Sequence, residues 1–140
     1  MRFVLDASVA LAWLLDDPVP AYAMNVKRSL GKTRPLVPPL WTLEVANTLA
    51  VGERRGNLTS DQVVRSMSLI EQLLGEAIEM ISSPVTFRQL LSTARSFRLT
   101  AYDAVYLEVA RSEGVPLATL DRALRAAAPR AGVELLSQIQ

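Results

Sequence analysis

The chain has 140 residues, half of them hydrophobic, with 15 Lys and Arg against 14 Asp and Glu and a formal net charge of +1. That length fits one domain, 1–140, burying roughly 68 to 70% of its unfolded surface, and the near-neutral field does not mark the whole molecule as a nucleic-acid binder. The absence of Cys and His excludes disulfides, thiolate zinc sites, cysteine nucleophiles and imidazole triads, leaving carboxylates, hydroxyls, amides, Arg, Lys and a bound ion to carry any chemistry.

The longest apolar run is seven residues, Val9 to Leu15, against the ~18 or more that span a bilayer, so no membrane span is expected. Asp6 interrupts the place where the apolar part of a signal peptide would sit, and a cytoplasmic protein is expected.

In chain order, Arg2-Phe3-Val4-Leu5 is an apolar run that ends in Asp6, and Ala7 to Leu15 starts at once with helix-forming residues. This reads as a buried strand, a carboxylate at its C-terminal tip and a buried helix. Strands apolar on both faces belong to parallel sheets covered by helices, and ligands of such sheets bind beyond the carboxyl ends of the strands. Asp16-Asp17-Pro18 stops the helix, and Val19 to Leu30 forms a second one closed by Gly31. Gly31-Lys32-Thr33 looks like the end of a phosphate-binding loop. The first glycine of that motif would fall at Val26, however, and a helix precedes it, so it reads as a basic surface turn.

Arg34 to Val37 is a short strand, and Pro38-Pro39 opens a helix to about Arg55, before Gly56. Within it Leu40, Leu43, Ala46, Leu49 and Ala50 are assigned to the core, while Glu44 and Asn47, three apart, share a different face. Thr59-Ser60-Asp61 starts a helix with apolar positions Val63, Met67, Ile70 and Leu74, ended by Gly75. Ala77 to Ile81 reads as a strand, and Ser83-Pro84 caps and starts a helix to about Phe97. Neither of these elements ends in a notable acid, so carboxylates are not spread evenly over the strand tips.

Thr100 and Asp103 make a capping-box pattern ahead of a helix from Ala104 to Arg111, closed by Gly114. Pro116 to Leu120 is another apolar strand, ending in Asp121 before a helix from Arg122 to Ala128. Val133 to Leu136 is the expected last strand. No internal repeat, low-complexity tract or linker interrupts the chain.

Asp6 and Asp121 thus share one local design: an apolar strand, a carboxylate at its end and a helix immediately after. Each could serve merely as a helix N-cap. If the two strands lie side by side and parallel, the carboxylates face each other at the mouth of the sheet. Two like charges ~4 Å apart repel by ~4 kcal/mol at an effective dielectric of ~20, more than the ~1 kcal/mol a cap typically contributes. Without a cation one of the pair should hold its proton. A hard divalent cation such as Mg2+ or Mn2+ reverses the balance, since it takes oxygen ligands and can activate a water against a phosphodiester.

Four stretches carry a resemblance over essentially the whole chain: Val4-Leu5-Asp6-Ala7-Ser8, Pro38 to Asn47 with Glu44, Thr100-Ala101-Tyr102-Asp103-Ala104, and Ala118-Thr119-Leu120-Asp121. In this order and spacing they resemble the successive motifs of PIN-domain ribonucleases, and the compact length is similar to that of VapC-type toxins of toxin-antitoxin pairs. The resemblance implies a three-layer α/β/α sandwich with a central mainly parallel sheet, metal-dependent endonucleolytic cleavage of RNA, a homodimer and inhibition by a cognate antitoxin protein. It also implies that Asp6, Glu44, Asp103 and Asp121 are the acidic quartet that holds Mg2+ or Mn2+ and positions the attacking water. Ser8, Asn47 and Thr119 match polar neighbours that orient those carboxylates or the phosphate. Some relatives place a further acid just after the last motif. Here Arg122, Ala123, Leu124 and Arg125 follow Asp121, so one persistent ion, with another arriving alongside substrate, fits better than two.

RNA must bring its phosphates past an acidic pool, and nearby cations would offset the repulsion. The candidates are Arg98, Arg122 and Arg125, with Arg54-Arg55 at the end of the Glu44 helix. Trp13, Trp41, Tyr22 and Tyr102 are assigned to the core or an interface rather than to base-stacking platforms, and the apolar helices around Val9 to Leu15 and Ala46 to Val51 to a groove for an antitoxin segment. The rival of a different class is a non-catalytic PIN module that binds RNA or protein, against which the four intact acids argue. Acid-based phosphatases fit badly. The haloacid-dehalogenase type wants an aspartate where Ser8 stands, and receiver domains want a late lysine where this chain has only Lys27 and Lys32.

Overall fold

The computed structural model describes residues 1–82 and 84–137. Strand β1 (Arg2–Leu5), buried from Phe3 onward, runs into helix α1 (Ala7–Leu15), and α2 (Ala21–Ser29) returns to β2 (Arg34–Val37). Helices α3 (Pro39–Arg54) and α4 (Ser60–Glu76) lead to the two-residue β3 (Glu79–Met80). Then come α5 (Phe87–Phe97), α6 (Ala101–Glu113), β4 (Leu117–Ala118) and α7 (Arg122–Arg130).

All pairings are parallel, in the order β3-β2-β1-β4. The chain therefore moves outward from β1 to β3 and then crosses back to the far side of β1. Right-handed crossovers put α1 to α4 on one face and α5 and α6 on the other, the three-layer arrangement expected. Contacts follow this division: α1 packs on α2 and α3, α3 on α4, and α6 on α5, α7, β1 and β4. The reversal of direction at β1 opens a crevice beyond the carboxyl ends of β1 and β4, the place where open α/β sheets bind ligands. Val4 pairs with Leu117 and Leu5 with Ala118, so Asp6 and Thr119 emerge side by side.

Several elements differ from expectation. Helix α2 starts at Ala21 rather than Val19, and Gly75 lies inside α4 rather than after it. Helix α5 starts at Phe87, where Thr86 and Gln89 form a complete capping box; Pro84 starts no helix, and Ser83 lies outside the described residues. The last strand is reduced to a bridge between Leu117 and Leu135, held by Leu117 N–H to Glu134 O and Leu136 N–H to Leu117 O.

On α3 the core face is Trp41, Val45 and Leu49, each four residues apart, while Leu43 is 64% exposed and Ala46 and Ala50 are exposed too. Of the residues assigned to the core from the sequence, Leu49 is buried and Leu40 packs against the core, whereas Leu43, Ala46 and Ala50 stay out. Ala46, Leu49 and Ala50 line an apolar groove of about 370 Å³ with Val63, Met67 and Leu74 of α4. Among the described residues no helix is long and apolar enough to cross a membrane.

Candidate active site

Asp6 caps nothing. It occupies the N-cap position of α1 but makes no side-chain cap bond, because its carboxylate is engaged elsewhere. Its backbone N–H donates to Ala118 O at 3.0 Å, locking it to β4. Ser8 Oγ donates to Asp6 Oδ2 at 2.6 Å and Thr119 Oγ1 to the same oxygen at 2.8 Å. These directions are forced. Ser8 Oγ already accepts Leu120 N–H at 3.0 Å and Thr119 Oγ1 accepts Asp121 N–H at 3.0 Å, so each hydroxyl has its one proton left for the carboxylate. Both bonds land on Oδ2, and the backbone N–H of Ser8 adds to their pull on the carboxylate.

Asp121 is a true N-cap as well as a rim acid: its Oδ2 accepts Leu124 N–H at 2.9 Å, which leaves Oδ1 unengaged. Glu44 enters from α3 on one face of the sheet, and its Oε1 accepts the hydroxyl of Tyr106, on α6 of the other face, at 2.6 Å. Asp103 sits in the first turn of α6. Its backbone N–H is taken by Thr100 Oγ1 at 3.1 Å, but its side chain does not close the capping box, so the carboxylate stays available.

The four acids feel one another. Burial pushes the Asp6 carboxyl up, opposed by the Ser8 and Thr119 bonds, with Asp121 adding to the rise. Burial also raises Glu44, partly offset by the Tyr106 bond, and the Asp6 charge raises it further. Asp103 is pushed up to about 6, first by burial and then by the charges of Asp121, Asp6 and Glu44. The Tyr106 hydroxyl is raised by burial and by the Glu44 carboxylate it serves, so it remains a donor. Side chains 115 positions apart in the chain, from Asp6 to Asp121, therefore share one electrostatic site.

Among the described residues no three of the acids already form a closed metal cage, the arrangement to expect of carboxylates that repel each other. The donor set nonetheless fits a hard divalent cation. It offers only oxygen, and the hydroxyl bonds to Asp6 and the cap bond to Asp121 are each gathered on one carboxylate oxygen, Oδ2. Mg2+ retains several waters and needs only one or two direct carboxylates, so acids within electrostatic reach suffice.

The remaining expected site residues divide. Ser8 and Thr119 are integral to the site. Asn47 is exposed one turn beyond Glu44, and among the described residues it hydrogen-bonds none of the acids. Arg125 folds inward: its Nη1 donates to Thr119 O at 2.7 Å and its guanidinium lies 4.9 Å from the centroid of the Tyr22 ring. Tyr22 in turn donates to Leu136 O at 2.8 Å. Arg98 and Arg122 are exposed, Arg98 in a left-handed conformation (φ 54°) at the end of α5. Trp41 is fully buried and Trp13 nearly so, but Tyr102 is 61% exposed, which takes it out of the core and leaves the interface half of its assignment untouched. Its place in the first turn of α6 leaves it uncovered at the open end of the helix, whereas Tyr106 one turn on is fully buried. Tyr106 is the residue sequence reasoning missed. Its signal was its position three residues after Asp103, which puts both on one face of the helix.

The profile of the PIN domain family matches residues 3–129. Ribonuclease VapC3 of Pyrobaculum aerophilum is 30% identical over 127 residues, 89% of this chain and 92% of its own. The solved structure of PAE2754 from Pyrobaculum aerophilum is 29% identical, with a TM-score of 0.66 over 90% of this chain and 86% of that one. FitAcB from Neisseria gonorrhoeae (19% identity, TM-score 0.67, covering 99% and 98%) has the same fold. So does VapBC2 from Rickettsia felis bound to a DNA fragment from their promoter (14%, 0.67, 97% and 98%). A match over nearly the full length, on a sheet whose strand ends gather the four acids, carries the conclusion that this chain belongs to the PIN domain family.

Proposed function

We propose that the protein is a Mg2+-dependent endoribonuclease and the toxin of a toxin-antitoxin pair, with Mn2+ as a substitute ion. The observation that carries this reading is the convergence of Asp6, Glu44, Asp103 and Asp121 on one crevice, with the carboxyls of Asp6, Glu44 and Asp103 raised by burial and by their neighbours. The naming of the 30% identical relative as a ribonuclease supports it. In this reading the four acids hold the ion. When bound, the ion lowers the pKa of a water and neutralises charge developing on the scissile phosphodiester.

The chain's own contribution is orientation. Ser8 and Thr119 fix Asp6 through Oδ2, Tyr106 fixes Glu44 through Oε1, and the α7 cap fixes Asp121 through Oδ2. Arg125 holds the Thr119 carbonyl and steadies that turn, which leaves the exposed Arg98 and Arg122, with Arg54-Arg55, as the cations for the RNA backbone. Asp103 is the acid whose ionisation a cation changes most, because its carboxyl is raised to about 6 without one.

The same reading makes the protein a cytoplasmic homodimer inhibited by a cognate antitoxin, with an apolar antitoxin segment in the groove between α3 and α4. Met67→Glu, at an exposed position on that groove, should abolish inhibition without touching cleavage. The nuclease itself is tested by incubating purified protein with total RNA, with and without EDTA, beside Asp6→Asn. Cleavage is expected only for the unsubstituted protein with Mg2+. Cleavage without metal, or undiminished by Asp6→Asn, rejects the mechanism.

A further inference from the structure

We propose that Tyr102 is the stacking platform for an unpaired nucleobase beside the scissile phosphate. This rests on the ribonuclease reading above and adds to it the contact that reads the base.

Tyr102 immediately precedes Asp103 and is 61% exposed, and among the described residues its hydroxyl has no hydrogen-bond partner. The other aromatic side chains are unavailable at this site. Phe3, Trp13, Trp41 and Tyr106 are buried, and Tyr22 and Phe97 lie beneath Arg125 and Arg130. Phe87 is exposed, but it opens α5, ten residues before that helix ends beside α6, roughly 15 Å away along the axis at ~1.5 Å per residue.

Position supplies the rest. Tyr102 and Tyr106 are four apart and share one face of α6, the face from which Tyr106 reaches Glu44. Tyr102 is one turn nearer the open end, and helical side chains lean toward the N-terminus, here the mouth of the crevice. An exposed ring without a polar anchor thus stands beside the acids that would hold the phosphate. Acids engaged with an ion and a phosphate are not free to hold the base, whereas an aromatic face binds any base by stacking, at ~1–3 kcal/mol each. Duplex RNA keeps its bases stacked and paired, so only an unpaired residue can reach the ring.

The test compares a labelled oligoadenylate with an abasic ribose-phosphate chain of the same length. Affinities are measured for the unsubstituted protein and for Tyr102→Ala, Tyr102→Leu, Tyr102→Phe and Tyr102→Trp, with cleavage of total RNA in Mg2+ scored alongside. The unsubstituted protein should prefer the base-bearing chain by about tenfold or more. Tyr102→Ala and Tyr102→Leu should erase most of that preference and leave binding of the abasic chain unchanged, and Tyr102→Phe and Tyr102→Trp should restore it. If the unsubstituted protein cleaves RNA and Tyr102→Ala keeps the full preference, the stacking role is wrong and the nuclease reading stands. If the unsubstituted protein cleaves no RNA, both fall. Loss in Tyr102→Phe equal to that in Tyr102→Ala would assign the effect to the hydroxyl and overturn stacking.

Discussion

The Tyr106 hydroxyl and the Glu44 carboxylate, 62 positions apart in the chain, are joined by a 2.6 Å hydrogen bond that ties the helix layers on opposite faces of the sheet. Tyr106 is fully buried, so the bond is made where competing water is scarce. Tyr106→Phe should destabilise the protein by about 1.5 to 3 kcal/mol, the range for hydrogen bonds to charged groups, as read by urea unfolding. It should also raise the Glu44 carboxyl further, because the lost bond is the interaction that lowers it. A variant as stable as the parent would mean that the bond does not organise the site.

Asp6→Asn removes a charge from a crowded site while its amide oxygen can still accept the Ser8 and Thr119 hydroxyls. In EDTA the variant should be more stable than the parent by about 1 kcal/mol, as relief of strain at a functional site commonly gives. Excess Mg2+ should raise the melting temperature of the parent and not of the variant. Calorimetry reads both. Equal Mg2+ stabilisation of the two proteins would show that Asp6 is not a ligand.

The pH dependence runs opposite to that of an ordinary salt-bridged acid. Asp103 rises from 3.8 to about 6 on folding, so the protonated form is favoured in the native state. Its contribution is fully present below pH ~4 and is lost as pH rises through ~6. Asp6 and Glu44 shift in the same direction. Thermal melts in EDTA should therefore show stability falling between pH ~4 and ~6, and saturating Mg2+ should flatten or reverse the fall, because ion binding draws on the ionised acids.

Thr119→Val keeps shape and removes a hydroxyl that donates to Asp6 and accepts from Asp121 N–H. The Asp121 N–H loses its acceptor and Asp6 Oδ2 keeps only the Ser8 hydroxyl, beside a fully buried position, at a cost of about 1–3 kcal/mol. Groups that orient metal ligands typically affect affinity 10- to 100-fold. The Mg2+ dependence of cleavage should shift to higher concentration by about that much, and an unchanged Mg2+ midpoint would remove Thr119 from the site.

The parts of this molecule that were legible in the sequence are those where local chemistry decides. Strand β1 ends where an apolar run meets Asp6, α3 begins at Pro39, α4 is capped by Thr59, and β4 ends before Asp121. The parts that misled depend on tertiary choice. Apolar residues on α3 spread over more than one stripe, and spacing alone, which placed Leu49 correctly, cannot tell that Val45 goes inward while Leu43, Ala46 and Ala50 stay out. Thr86, not Ser83-Pro84, caps α5 because it has Gln89 at the reciprocal position. Tyr106 gave no sign of its partner, since a buried tyrosine on a helix reads as core until Glu44 is brought across the strand ends. Arg125 read as a free cation, and only the folded chain reveals the Thr119 carbonyl and Tyr22 ring that occupy it.

The most direct test of the central claim, that the four acids jointly hold one divalent ion, is calorimetric titration of Mn2+ into the protein and into Asp6→Asn, Glu44→Gln, Asp103→Asn and Asp121→Asn. The account predicts a single strong site in the unsubstituted protein, weakened at least about tenfold in every variant. Full-strength Mn2+ binding by any one of the four would contradict it.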